Sequence, residues 1–293
     1  MGADNPPLLT RCLAEVLGTF VLIFFGCGAV HVAIVIGALT GLWQVAIVWG
    51  VAIMVAVYVF GGVSGAHINP AVTTALAVWG RFPRGEVLPY VVSQVVGAFL
   101  AAAVLFAFYH PFLAEKEKAK NVVRGEPGSE ITAMCYGEYY PNPGRIAGAE
   151  GEYRREEHER LNALVGMPVA FAAEMLGTLV LALVVFALTD ERNRAAPLAR
   201  LAPVFIGLTV AILIAVIAPL TQACFNPARD FGPRLFAYLA GWGPIALPGP
   251  NGAGFFTVYI VAPVVGAVLG GGLYVGVVRP ALPDSLPAGR VEV

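Results

Sequence analysis

A ten-residue string near the start of the chain, AEVLGTFVLI at 14–23, returns as AEMLGTLVLA at 173–182, an offset of 159 residues. Two further pairs follow in the same order: HINPAV at 67–72 with CFNPAR at 224–229, offset 157, and VVGAFL at 95–100 with VVGAVL at 264–269, offset 169. Three ordered matches make the chain a tandem of two halves. Each half carries three apolar runs of spanning length, at about 12–36, 42–62 and 87–109, then at about 164–188, 202–219 and 255–278. An odd number of crossings per half forces the second half to enter the bilayer inverted, so the halves are related by a pseudo-two-fold axis in the membrane plane. Two further apolar stretches, about 70–80 and 227–240, are too short to cross. The expected fold is an all-α membrane protein with six transmembrane helices and two re-entrant half-helices.

Composition agrees with that class. The chain is 58% hydrophobic and only 13% charged, with a formal net charge of -1, which leaves no basic footprint for nucleic acid. Cys12, Cys27, Cys135 and Cys224 show no CxxC spacing, so no metal site and no disulfide framework are indicated, and no cofactor is expected. The apolar run after Arg11 could pass for a signal peptide, but the match of Glu15 to Glu174 makes it part of the repeat and therefore retained. Between the halves lies a polar segment, roughly 110–163, with KEKAK and EYRREEHER. Its acidic cluster reads as a solvated helix, with Glu156 and Arg160 at i,i+4, rather than a cation site.

The organisation expected is one channel domain over 1–280, made of a first repeat at about 10–109, the connection at about 110–163 and a second repeat at about 164–280, with a tail at 281–293. Arg11, Arg81, Arg84, Arg192, Arg194, Arg200, Arg279 and Arg290 fall on the side of the termini, against eight Lys/Arg in the long connection. Short loops weigh most in the positive-inside rule, which puts both termini in the cytoplasm of a cell-membrane protein.

The polar residues inside the apolar frame carry the chemistry. Asn is a strong N-cap and Pro is favoured at the first helical position, so Asn69-Pro70-Ala71 and Asn226-Pro227-Ala228 each spell a helix start. Each short helix runs about ten residues, about 15 Å, which is half a bilayer core. Related by the pseudo-two-fold axis, the two meet cap to cap at the midplane and line a pore. Their positive dipole ends oppose cations and hydronium there. With each Asn oxygen occupied in capping, the amide nitrogens are free to donate to a passing hydroxyl. Arg229, three residues after Asn226, shares its helix face and would add fixed donors to the lumen, while Asp230 is comfortable at a helix N-terminus and can pair locally.

SGAHINPAV and NPARDFGPRLFAYLAGWG, over a frame covering about 10–280, are similar to the major intrinsic protein family of aquaporins and aquaglyceroporins. The resemblance implies a pore in every subunit of a homotetramer embedded in the lipid bilayer. Asp230 after NPAR, and YPNP at 140–143, resemble the glycerol-conducting branch. The family's four filter positions fall by spacing on Trp49, Ile214, Ala223 and Arg229. Water-selective members carry His at the second position, and glycerol facilitators carry Gly and Phe at the second and third. This set looks more like the plant nodulin-26-like branch, which is associated with glycerol, small amides, metalloid acids and water. Trp49 and Ile214 would wall a carbon backbone, Ala223 would leave space and Arg229 would bind hydroxyls. The reading is a passive channel for glycerol and water that excludes ions and protons. The alternatives are a water channel, a channel for urea or metalloid acids and, more remotely, a coupled secondary transporter.

Glu15 and Glu174 are intramembrane carboxylates, a pattern that by default suggests proton relay. Their symmetry favours bracing of the loop before each half-helix by accepting backbone N–H groups. His67 is expected beside the pore or on a loop carbonyl, and His31 at a helix end with no partner visible in sequence. Gly18, Gly97, Gly266 and Gly270 would let helices cross closely. No Ser/His/Asp set, HExxH motif or paired carboxylate is placed for catalysis, so an enzyme is not expected.

Overall fold

A computed structural model describes residues 6–283. Arg290 and most of the tail at 281–293, both used in the sequence reading, lie outside the described residues. In chain order the helices are α1 (Leu8–His31, prolonged by a π turn over Val32–Ile36), α2 (Leu42–Ser64), α3 (Pro70–Val78) and α4 (Val87–Lys120). Three short helices follow in the connection: α5 (Glu130–Ala133), α6 (Gly144–Gly148) and α7 (Arg155–Asn162). The second half comprises α8 (Met167–Leu188), α9 (Ala202–Thr221), α10 (Pro227–Ala237) and a last helix, α11, whose continuous path is Gly254–Ala281 with two π turns. Six of these are long and apolar enough to cross a membrane. Helices α3 and α10, with 9 and 11 residues, are the short pair.

The packing repeats between halves. Helix α1 packs on α2 and α4 as α8 packs on α9 and α11, and α2 meets α9 across the axis. Each half-helix lies against the other half's third span, α3 on α11 and α10 on α4. The two repeats are therefore interlocked rather than merely abutted.

Small residues make the close crossings possible. A Cβ on Gly97 would sit 2.2 Å from the carbonyl oxygen of Val16, and one on Gly266 would sit 2.1 Å from that of Met175, so the same contact occurs in both halves. At the axis the helices α2 and α9 touch through Gly50 and Gly207, where a Cβ on either would fall within 2.7 Å of the other's carbonyl oxygen. The interior is rich in alanine, including Ala46, Ala98, Ala101 and Ala211, whereas large apolar residues such as Leu9, Val59, Leu88 and Val216 face outward. Outward Leu and Val match a lipid surround, where apolar burial no longer drives helix association and close backbone contact takes over.

One boundary and one ion pairing differ from the sequence reading. Helix α4 does not stop near 109 but runs to Lys120, through Pro111. The following AEKEKAK is composed of strong helix formers, which outweigh one missing hydrogen bond. The solvated helix expected around 156–160 is present as α7, but its ion pairs are Arg155–Glu159 at 2.7 Å and Arg154–Glu157 at 2.9 Å.

Candidate functional site

The two half-helices start as the cap chemistry dictates. Asn69 Oδ1 accepts from the backbone N–H of Ala71 (2.9 Å) and Val72 (3.4 Å), and Asn226 Oδ1 from Ala228 (3.1 Å) and Arg229 (3.3 Å). Pro70 and Pro227 occupy the first helical positions and Ala71 and Ala228 the next, all buried. The amide groups, however, are only half free. Asn69 Nδ2 donates to the Phe225 carbonyl at 2.9 Å and Asn226 Nδ2 to the Ile68 carbonyl at 2.8 Å. One N–H of each amide thus ties the repeats together, and one remains for the lumen.

The segments leading into the caps are strained and braced in parallel. Gly65, Ala66 and Ile68 have positive φ, as do their counterparts Gln222, Ala223 and Phe225. Non-glycine residues hold such angles only when the surroundings over-determine them. Glu15 supplies that determination in the first half, accepting from Ser64 Oγ (2.7 Å), His67 N (2.9 Å), Ile68 N (2.8 Å) and Gln94 Nε2 (2.7 Å). Glu174 does so in the second, accepting from Thr221 Oγ1 (2.5 Å), Cys224 N (3.0 Å) and Phe225 N (2.9 Å). Both carboxylates are fully buried. Two tyrosines complete the pattern: Tyr90 Oη donates to Ser64 O and Tyr259 Oη to Thr221 O.

Cavities enter from both faces. The one on the side of the chain ends has a volume of about 750 Å³ and reaches Asn69 and Asn226, passing His67, Arg81 and Arg200. His67 is held by Thr73 Oγ1 at 3.2 Å and by the rings of Phe82 and Tyr90. The opposite cavity, about 380 Å³, narrows onto Trp49, Ile214 and Arg229. The arginine is 3% exposed and firmly fixed. Its Nη1 donates to the Tyr136 carbonyl at 2.7 Å and contacts Cys27 Sγ at 3.4 Å, its Nε pairs with Glu138, and its guanidinium lies 4.6 Å from the Trp49 ring centroid. Carbonyl, carboxylate and ring together offset the cost of a guanidinium at membrane depth.

Three of the four spacing-derived filter residues therefore meet. Ala223 does not line this cavity; among the described residues the wall beside it is made by Gln222. Both residues sit in left-handed backbone, φ 66° at Gln222 and 64° at Ala223, and of the two it is the Gln222 side chain that reaches the cavity wall. Gln222 is itself fixed, accepting from Tyr139 N (2.9 Å) and donating to Met134 O (3.1 Å). Asp230 faces away from both cavities and binds Arg234 through two hydrogen bonds (2.9 and 2.8 Å), while accepting from Glu138 N at 2.7 Å. It is a brace for the connecting segment. Tyr136, Glu138 and Gln222 were not singled out in sequence. The signal available for the second was an ionisable residue inside the apolar run before YPNP.

The family model described as major intrinsic protein matches residues 3–274. The glycerol uptake facilitator protein of Pseudomonas aeruginosa is 42% identical over 99% of this chain and 96% of its own. That of Escherichia coli K12 is 40% identical over 96% and 92%, and the propanediol uptake facilitator PduF of Citrobacter freundii 40% over 95% and 96%. The X-ray structure of the aquaglyceroporin from Plasmodium falciparum superimposes with a TM-score of 0.77 at 25% identity, covering 94% of this chain and 99% of the other. With the family model spanning nearly its whole length, the chain belongs to the major intrinsic protein family.

Proposed function

We propose that this chain is a passive channel that conducts glycerol together with water and excludes ions and protons. The observation that carries the reading is the pairing of two asparagine-capped half-helices whose positive ends converge where the cavity on the side of the chain ends reaches Asn69 and Asn226, with one unspent N–H on each cap. Donors without a carboxylate partner at that point favour a neutral hydroxyl and oppose a cation. At the filter, Trp49 and Ile214 give an apolar wall for the carbon backbone and Arg229 offers donors to its oxygens. The names of the relatives, glycerol and propanediol uptake facilitators, point to the same solute class.

The site assignment divides accordingly. Asn69, Pro70, Ala71, Asn226, Pro227 and Ala228 form the midplane junction, and Trp49, Ile214, Arg229 and the Ala223–Gln222 corner form the filter. His67 lines the inner approach, while Glu15, Glu174 and Asp230 brace. Four copies assembled in a cell membrane with both termini in the cytoplasm complete the proposal. Arg11, Arg81, Arg84, Arg200 and Arg279 on the terminal side support that orientation.

The filter itself supports a second, broader reading. Ile214 with a small residue at 223 leaves a different lumen from the Gly and Phe of glycerol facilitators, and urea or metalloid acids would fit that reading as well. One measurement separates these possibilities. Liposomes containing the protein should reswell in glycerol far faster than empty ones and hold an imposed proton gradient. Fast water flux with glycerol permeability no higher than that of empty liposomes would assign a water channel, and uptake dependent on a proton or sodium gradient would assign a coupled transporter.

A further inference from the structure

The residues that hold Arg229 are themselves held, and by a histidine that takes no part in lining the pore. His31 is the last residue of α1 before its π turn, and it is fully buried. Its Nδ1 lies 2.8 Å from the Cys27 carbonyl, one helical turn back. A carbonyl can only accept, so Nδ1 carries the hydrogen and Nε2 the lone pair. Its ring meets the Tyr136 ring edge to face with centroids 4.8 Å apart, and the Tyr109 ring lies 5.1 Å away on another side.

Cys27 and Tyr136 are the two residues that contact Arg229 Nη1, through the thiol and the main-chain carbonyl. His31 therefore bridges both arms of the cradle. Its imidazole hydrogen bond fixes the turn that carries the thiol, and its ring backs the aromatic side chain whose carbonyl receives the guanidinium. Two further atoms agree. His31 Nε2 and Tyr136 Oη are both buried without a protein partner among the described residues, and one is an acceptor while the other is a donor.

We infer that His31 is a positioning residue for Arg229 and so a determinant of solute selectivity, an inference that rests on the reading of Arg229 as the filter arginine. Truncating the imidazole opens space behind Tyr136. Its ring and carbonyl relax into that space, and the guanidinium loses the fixed direction of its 2.7 Å bond. The effect belongs in the discrimination between solutes more than in the amount of folded channel.

The test is a selectivity cycle in proteoliposomes, reading the ratio of urea to glycerol permeability at equal reconstituted protein. H31A is expected to raise that ratio by about threefold or more, and R229A by more than that. The double variant should match R229A alone, because the histidine acts only through the arginine. His31→Phe, which keeps a ring against Tyr136, should retain most of the wild-type ratio. If H31A does not reach the membrane, His31→Gln, which keeps a donor for Cys27 without the ring, enters the cycle in its place. A wild-type ratio in that variant, or an effect that adds to R229A, would overturn the positioning role. An unchanged ratio in R229A itself would instead remove the filter reading, and this inference with it.

Discussion

Asn226 Nδ2 donates to the Ile68 carbonyl across the repeat boundary at 2.8 Å. The reciprocal bond, Asn69 to Phe225, is 2.9 Å long. The asparagines are thus both caps and cross-links, and substitution can remove the cross-link with or without the cap. Asn226→Ala loses the cap, worth about 1 kcal/mol, and the cross-link, worth about 1 kcal/mol net. Asn226→Asp keeps oxygen acceptors for the cap but loses the donor and sets a carboxylate against the Ile68 carbonyl.

We expect Asn226→Ala to lower the thermal midpoint in detergent by several degrees and to reduce glycerol flux. Asn226→Asp should also admit cations, measured as dissipation of a potassium gradient in proteoliposomes. An aspartate channel that stays tight to potassium would argue that the junction does not set charge exclusion.

Glu174 yields a sharper contrast between bracing and proton transfer. The carboxylate accepts three hydrogen bonds, two of them from backbone N–H groups in a segment with positive φ. Glu174→Gln leaves a single carbonyl oxygen and turns an NH₂ toward donors, at a cost of about 1–3 kcal/mol for each group left unpaired. The expected outcome is a large loss of thermal stability. Flux that does remain should be independent of a proton gradient, as in the wild type. A stable Glu174→Gln channel that had lost a proton-coupled component would restore the relay reading.

Gln222 lines the cavity wall beside Ile214 and Arg229 where spacing had placed Ala223. Gln222→Ala removes two hydrogen bonds to the connecting segment, at Tyr139 N and Met134 O, and clears the lumen beside Ile214. Permeability to urea and to polyols longer than glycerol should rise by more than that to glycerol, read by stopped-flow light scattering. A uniform fall for all solutes would indicate that the loop had collapsed into the opening.

What could be read from sequence was whatever the repeat states twice. Asn69 and Asn226 signal their role locally through cap chemistry, and Glu15 and Glu174 identify each other by position. The geometry supports the bracing inferred from that symmetry. The surroundings of Arg229 were not legible for the opposite reason. Tyr136 and Glu138 reach Arg229 from a connection that has no counterpart in the other half, and no spacing rule links residue 136 to residue 229. His31 likewise reads as a lone polar residue at a helix end until tertiary packing sets it behind Tyr136. The end of α4 was misplaced because polarity marks where a chain leaves the membrane, not where a helix stops.

That same connection contains a titratable contact whose sign can be worked out. His158, on α7 and largely buried, has its Nδ1 2.7 Å from Tyr153 Oη. Burial lowers its affinity for protons, against the smaller pull of Glu130 and Glu159. A neutral ring can accept the tyrosine hydroxyl at Nδ1, and a protonated ring cannot. Because the unfolded histidine titrates near 6.5 and the folded one lower, the unfolded state binds more protons as acid is added. The stabilisation is complete above about 6.5 and is lost as pH falls through the depressed folded value. Segment 121–166 should therefore be cut by a pH-tolerant protease, or exchange its amide hydrogens after correction for intrinsic rate, more readily at pH 5 than at pH 7.5. His158→Gln should flatten the difference, since glutamine has no proton to gain over that interval. An equal pH response in the variant would place the titrating group elsewhere in the connection.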